Sequence, residues 1–153
     1  MQIIPLSKAE FDKHISQSQH TYAYYRIGNA PLEVISTSRG AFQASFVSHI
    51  PHATSYSSLD ELNVPLLCTG TPFQIKVWQA ALAITPGTTA TYHNLAHTIG
   101  HAQAYRAVGS ALGKNKLAYL IPCHRVVKKD GDLGNYRWGR EVKEALLGLE
   151  LNS

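Results

Sequence analysis

At residue 71 the hydrophobic pattern of this chain changes period, and that change divides what it can fold into. Before it lie segments rich in β-formers. Thr21 to Ile27 carries three tyrosines, and Pro31 to Ser38 sets Leu32, Val34 and Ser36 against Glu33, Ile35 and Thr37, the period-two alternation of a strand. Gly28-Asn29 separates these runs and Arg39-Gly40 precedes a third, Ala41 to Ile50, so the first half reads as a small antiparallel meander. A short helix is expected ahead of it, because Ser7-Lys8-Ala9-Glu10 has capping-box spacing and Phe11 and Ile15 follow at helical spacing. Residues 51–70, rich in Ser, Thr, Pro and His, read as a connector with room for one helical turn.

From residue 71 the period becomes helical. Thr71 is a good N-cap with Pro72 at the first helical position, and Phe73, Val77, Ala80, Ala81 and Ile84 share a face until Pro86-Gly87. A second helix is expected from Thr91-Tyr92 to Gly100, using Leu95, Ala96 and Ile99. A third runs from about Ala102 to Leu112, with Ala104, Ala107, Val108 and Ala111 inward and Arg106 pointing elsewhere. Two short helices joined by a glycine-containing turn have the layout of a helix-turn-helix. The apolar run Leu117 to Ile121 reads as a buried strand leading to Cys123, and the Asp130-Gly131 turn behind it resembles a wing. A last helix from about Gly139 to Glu150 presents Val142, Leu146 and Leu149 as its apolar stripe, with Lys143 and Glu150 two turns apart on one face. The expected architecture is therefore α/β in two domains, residues 1–70 and 71–153.

Composition narrows the function. A chain of 153 residues that is 44% hydrophobic and 16% charged is an ordinary globular protein. No apolar run approaches membrane-spanning length, and the first residues lack the charged start and apolar core of a signal peptide. Two cysteines, Cys68 and Cys123, offer no disulfide framework, so a cytoplasmic, reducing location is expected. Charge is uneven. Before residue 71, four basic residues face five acidic ones, 4 − 5 = −1; beyond it, 10 − 5 = +5. A basic second half suits a polyanionic partner.

The chemistry concentrates in Ile121-Pro122-Cys123-His124-Arg125-Val126-Val127. A buried cysteine is usually inert, but an adjacent imidazole and guanidinium can stabilise the thiolate, the form that attacks electrophiles. His124 needs a third group to orient it, and Glu150 is the acidic residue nominated. The histidines and cysteines show no zinc-ligand spacing, so no metal is expected. An acyl-transferring cysteine hydrolase is a weaker possibility, since nothing provides an oxyanion loop.

Pro122-Cys123-His124-Arg125-Val126, with Tyr92, Arg106-Ala107-Val108-Gly109, Asn115 and Gly134-Asn135-Tyr136-Arg137-Trp138-Gly139, strongly resembles the O6-alkylguanine-DNA alkyltransferases, bacterial type. The match covers about residues 71–150. The resemblance implies a ribonuclease-H-like N-terminal lobe, then a winged helix-turn-helix lobe that binds duplex DNA containing O6-alkylguanine in the minor groove. It implies irreversible transfer of the alkyl group to Cys123, once per molecule, with no cofactor and with O4-methylthymine as a further substrate. His124 would be the base through a bridging water, Glu150 would orient it, and Asn115 would tie the turn before the active-site segment. Tyr136 would line the pocket, carbonyls of Cys123 and Val126 would accept from the guanine amine, the Arg137 amide would donate to O6, and Lys143 would support Tyr92 or supply a proton. Arg106 would fill the gap in the base stack while Tyr92 presses on the neighbouring phosphate. Small residues Ala107, Gly109 and Ser110 would admit the helix to the groove, and His93, His101 and Lys129 would contact phosphate. His93 and His101 stand where amide side chains are common in the family. A monomer is expected, with cooperation between copies on DNA compatible with the activity. The alternative is a non-catalytic alkyltransferase-like protein that flags lesions; that branch replaces the nucleophile, which Cys123 argues against. A transcriptional regulator is a third option, and it would not need Pro122-Cys123-His124.

Overall fold

The computed structural model describes residues 1–152, which form a mixed α/β protein of two compact units. The first unit comprises Met1–Gly70 together with Lys116–Leu120; the second comprises Thr71–Asn115 and the chain from Ile121 onward.

In the first unit, strands β1 (Ile3–Leu6), β2 (Thr21–Ile27), β3 (Ala30–Thr37), β4 (Gly40–Phe46) and β5 (Leu66–Thr69) form one sheet in the order β1-β5-β4-β3-β2. β2, β3 and β4 pair antiparallel, as the alternating pattern requires, with a register shift between Ile35 and Ser36. The sheet as a whole is mixed rather than antiparallel, because β5 pairs parallel with both β1 and β4. The expected connector therefore contains a strand, whose Leu66, Leu67 and Cys68 are buried, as well as a single turn of helix at Leu59–Leu62. Helix α1 (Lys8–Gln17) starts at the capping box: Ser7 Oγ accepts from the Glu10 amide and the Glu10 carboxylate accepts from the Ser7 amide. Gly40, at φ +151°, approaches the Pro65 carbonyl so closely that a Cβ would collide with backbone.

The expected strand Leu117–Ile121 does not form. Leu117 makes a single parallel bridge to Ala44, fixed by hydrogen bonds from the Ala44 amide to the Lys116 carbonyl and from the Ala118 amide to the Ala44 carbonyl. The chain then turns, with Tyr119 at φ +67° and the Leu120 amide donating back to the Ala118 carbonyl at 2.7 Å. The residues are as buried as the apolar run implies, but burial without period does not distinguish a strand from a buried turn.

In the second unit, α2 (Pro72–Leu82) begins at Thr71, where Thr71 and Gln74 form a reciprocal cap. Two-residue strand β6 (Ala90–Thr91) leads into α3 (Tyr92–Thr98), which has its own reciprocal cap between Thr91 and Asn94. Then come α4 (Tyr105–Gly113), a 3-10 turn at Cys123–Arg125, β7 (Val126–Val127) and α5 (Arg140–Leu151). Trp78 of α2 donates its indole N–H to the Ala111 carbonyl of α4 at 2.8 Å, while Val77, Ala81, Val108 and Ala111 pack around it. β7 pairs parallel with β6, and among the described residues no strand follows it, so the expected wing is an irregular loop over 128–139. On α5 the inward face is Lys143, Leu146 and Leu147, with Glu150 half-buried; Leu149, expected inward, is 45% exposed. Residues 143, 146, 147 and 150 and the expected 142, 146 and 149 both follow the helical period, and the buried face is the one centred a position further on. Among the described residues, no helix is long and apolar enough to cross a membrane.

The indole contact predicts that Trp78→Phe, which removes one buried donor and a little volume, lowers unfolding free energy by about 1–2 kcal/mol. Urea titration followed by circular dichroism measures it.

Candidate active site

Cys123 opens the 3-10 turn and is 6% exposed. Pro122 contributes no amide donor, and the turn closes through the Cys123 amide on the Ile121 carbonyl and the Arg125 amide on the Pro122 carbonyl. The sulfur accepts a hydrogen bond from Asn115 Nδ2 at 3.3 Å, and the same nitrogen donates to the Ile121 carbonyl at 3.2 Å. Asn115, 1% exposed just beyond α4, thus touches the Cys123 sulfur directly in addition to tying the turn. Burial pushes the thiol pKa up; the Asn115 bond and the charges of Lys143 and Arg137 offset only part of that rise. The guanidinium of Arg125, expected beside the sulfur, is directed elsewhere.

It is directed at Glu150. Arg125 Nε lies 3.1 and 3.0 Å from the two Glu150 carboxylate oxygens, and Arg125 Nη2 donates to Oε1 at 2.7 Å. Its remaining nitrogen, Nη1, donates to the Ile84 carbonyl just beyond α2 at 2.7 Å. His124, 0% exposed, places Nε2 2.8 Å from the same Oε1. Burial alone would raise the Glu150 carboxyl, but hydrogen bonds from His124 and Arg125 bring it down to about 2. An ionised carboxylate only accepts, so His124 Nε2 carries the proton and Nδ1 the lone pair. Burial lowers the imidazole pKa; Glu150 raises it, and Arg125 and Lys143 lower it further, leaving a neutral ring.

Lys143 is the largest fully buried side chain. Its Nζ donates to the Val126 carbonyl at 2.6 Å and to the Asn135 carbonyl at 3.3 Å, and it stands 5.9 Å from the centre of the Tyr92 ring. Burial depresses its pKa to about 8, with Cys123 acting in the opposite sense. Tyr136 faces His124 edge-on and also packs against Trp138; burial pushes its phenol pKa far up, and its hydroxyl has no hydrogen-bond partner among the described residues. Tyr92, half-buried, rests its ring against Gly109 and its hydroxyl against Gly134, where a Cβ would lie 2.7 Å away. Gly134, at φ +75°, supplies both the turn and the clearance.

These residues surround a cavity of about 700 Å³ within the second unit. Cys123, Tyr92, His93, Arg106, Gly109, Ser110, Lys129, Tyr136 and Arg137 line it, as do Tyr105, Lys128 and Asn135, which the sequence did not single out. His124, Glu150, Asn115, Val126 and Lys143 lie behind the lining. Arg106 is exposed on α4 beside the Tyr105 ring, on which His93 stacks at 4.1 Å. Ala107, expected inward, is exposed on α4, where Val108, Ala111 and Leu112 form the buried face instead, and His101 packs edge-on against Phe73 outside the lining. The Val126 carbonyl already accepts from Lys143, and the Cys123 carbonyl accepts from the Val126 amide, so each has one remaining lone pair for a ligand. The Arg137 guanidinium donates to the Asn115 carbonyl at 3.2 Å. Among the described residues no three His, Cys, Asp or Glu side chains converge as a metal-binding group.

A family model described as 6-O-methylguanine DNA methyltransferase, DNA binding domain, matches residues 72–152, more than half of the chain. The chain belongs to this family. Within it, the chain is 56% identical over 89 residues to the regulatory protein ada of Salmonella typhimurium, a stretch that is 58% of this chain and 25% of that protein. It is 46% identical over 95 residues to a methylated-DNA–protein-cysteine methyltransferase of Methanosarcina barkeri, covering 62% of this chain and 60% of the relative. The matched stretch thus spans less than two thirds of these relatives. The OGT of Mycobacterium tuberculosis, solved in complex with DNA, is similar at 32% identity with a TM-score of 0.71, over 86% of this chain and 92% of that one. The methyltransferase motif residues quoted from the sequence, Cys123, His124, Asn115, Tyr136 and Tyr92, are those the fold gathers around one sulfur.

Glu150 makes acid stability testable. Its folded pKa, about 2, lies below the ordinary 4.5, so its contribution is complete above pH 4.5 and is lost as pH falls toward 2. Glu150→Gln should lower the thermal midpoint near neutrality and flatten its fall between pH 5 and 2, read by scanning calorimetry across that range.

Proposed function

We propose that the protein repairs DNA by direct reversal, moving the alkyl group of O6-alkylguanine, and of O4-methylthymine, onto its own Cys123, once per molecule. The observation that carries this reading is a buried sulfur held by Asn115 next to a His124-Glu150 pair, on the wall of a cavity that Arg106, Lys128, Lys129 and Arg137 also line. The names of the related methyltransferases support it, as does the DNA complex of the similar OGT.

The chemistry balances without a cofactor. The thiol proton passes to His124 Nδ1 through a bridging water, the sulfur forms a bond to the alkyl carbon, and the bond from that carbon to O6 breaks. The departing guanine takes up a proton, so the products are a thioether and unmodified guanine. A neutral imidazole with its lone pair at Nδ1 suits this transfer. Lys143, buried with a pKa of about 8, supplies positive charge toward the cavity as the guanine departs. The Arg137 amide, the Cys123 and Val126 carbonyls and Tyr136 frame the guanine edge. A thioether has no hydrolytic route here, which limits each molecule to one event.

A stacked base cannot present its O6 substituent to a buried sulfur, so the target must leave the helix. α3 and α4 act as a helix-turn-helix with the 128–136 loop as its wing. α4 enters the minor groove through Ala107, Gly109 and Ser110; Arg106 fills the vacated stack, and Tyr92 turns the phosphate beside the lesion. His93, His101 and Lys129 contact phosphate. The first unit is a ribonuclease-H-like lobe, and a monomer in the cytoplasm, where thiols stay reduced, suits the whole. Cys123 is the feature a non-catalytic lesion binder would not keep.

An oligonucleotide bearing one radiolabelled O6-methylguanine should pass its label to the protein with an amplitude no greater than one equivalent. Cys123→Ala should abolish transfer while gel-shift affinity persists; transfer by that variant, or continued turnover, refutes the reading. Arg106→Ala should slow repair of duplex by about tenfold or more while sparing reaction with free O6-methylguanine. Equal losses on both substrates would remove its place in base extrusion.

A further inference from the structure

The helices of the second unit do not all begin alike. α2 and α3 open on reciprocal caps, Thr71 with Gln74 and Thr91 with Asn94, whereas α4 opens at Ala104, where no side chain accepts from the free amides. Without a capping side chain, the first turn of α4 is held by what its side chains pack on. Tyr105 is the first residue of that turn, and its ring stacks on the His93 ring of α3, centroids 4.1 Å apart and planes 19° apart. His93 Nδ1 is buried with no hydrogen-bond partner among the described residues, so stacking rather than a bond at that nitrogen fixes the imidazole. The next residue, Arg106, is exposed, and its guanidinium carbon lies 5.9 Å from the centre of the Tyr105 ring. Sequence adjacency does not produce this contact. Successive side chains on a helix diverge by about 100°, so the guanidinium reaches the ring only by folding back toward it.

We propose that Tyr105, backed by His93, is a positioning residue for Arg106: the stacked ring fixes the first turn of α4 and gives the guanidinium a face to rest on before DNA arrives. An exposed arginine samples many rotamers, and that freedom is lost when the side chain fills a vacated base stack. Part of the loss is met beforehand when the side chain already rests on a fixed ring, because an aromatic face both attracts a guanidinium and restricts it. The ring can do this only if it is itself held, and the His93 stack holds it from α3. α3 begins with Tyr92, one residue before His93. The stack therefore also sets the spacing between the residue that turns the phosphate and the residue that fills the gap.

This inference rests on Arg106 as the residue that fills the base stack, and its tests separate the two. Single-turnover rates are measured for transfer from O6-methylguanine in duplex and from the free base. Tyr105→Leu, which keeps apolar bulk against α3 but removes the ring face, should slow duplex transfer about fivefold and change reaction with the free base by less than about twofold. Tyr105→Phe, which keeps the ring, should restore the parent rate within about twofold. In an Arg106→Ala background, Tyr105→Leu should cost nothing further, since a residue that acts through Arg106 has nothing left to position. A full additional loss there shows Tyr105 acting on DNA by itself, equal losses on duplex and free base show a general structural role, and a Tyr105→Phe as slow as Tyr105→Leu assigns the effect to the hydroxyl. Each of these overturns the proposal. If Arg106→Ala leaves duplex transfer unchanged, the base-stack reading falls and this proposal with it, whereas a slow Arg106→Ala beside an unaffected Tyr105→Leu refutes this proposal alone. Should Tyr105→Leu not fold, the unmutated protein decides. Heteronuclear NOEs of the arginine Nε–H groups should show Arg106 well ordered relative to Arg39, which is also exposed, and equal mobility of the two refutes the proposal.

Discussion

Removal of the Cys123 sulfur from water is the constraint to which the rest of the second unit answers. Desolvation disfavours the thiolate, so a nucleophile in that position must be activated by groups already fixed around it rather than by solvent. Each is buried in turn and must be satisfied locally: Asn115 by the sulfur and the Ile121 carbonyl, Lys143 by the Val126 and Asn135 carbonyls, Glu150 by His124 and Arg125. The outcome is a chain of polar contacts running from the end of α4, through the 3-10 turn, to the last turn of α5. Replacing one member would strand its neighbours, which is why the arrangement behaves as a unit.

Reactivity and exposure are separated here. The cavity lining mixes cationic and aromatic side chains with small ones and Asp130, whereas His124, Glu150 and Lys143 lie one layer deeper. Tyr92 joins the two layers: its ring lies near the Lys143 ammonium and its hydroxyl against Gly134. The 3-10 turn makes this layering possible. In an extended strand, Cys123 and His124 would face opposite sides; in a tight turn, one faces the cavity and the next packs under it.

Much of this was legible before any coordinates. Caps at Ser7 and Thr71 mark helix starts because the bonding is local and reciprocal, and the alternation in residues 31–38 places β3 correctly. The pairing of His124 with the distant Glu150 was readable from chemistry, and the shared face of Lys143 and Glu150 from helical spacing. What escaped has physical reasons. β1 and β5 are four residues long, too short for a period to show, and their pairing is parallel and non-local. Leu117–Ile121 is apolar because it is buried, and burial says nothing of backbone direction. Arg125 looked like a neighbour of the sulfur, since sequence adjacency cannot show that a long side chain turns away to a carboxylate 25 residues on. On α5, Lys143 occupies a position that hydrophobicity alone would never assign to the interior.

That lysine has one more consequence. Its ammonium bonds both the Val126 carbonyl, just past the 3-10 turn, and the Asn135 carbonyl, beside Tyr136, and the charge that makes both bonds strong belongs to a group with a pKa of about 8. As that proton is lost above about pH 8, the two bonds weaken to those of a neutral amine. The strength of the pocket wall is tied to the proton concentration of the surroundings through a residue that never meets the solvent directly.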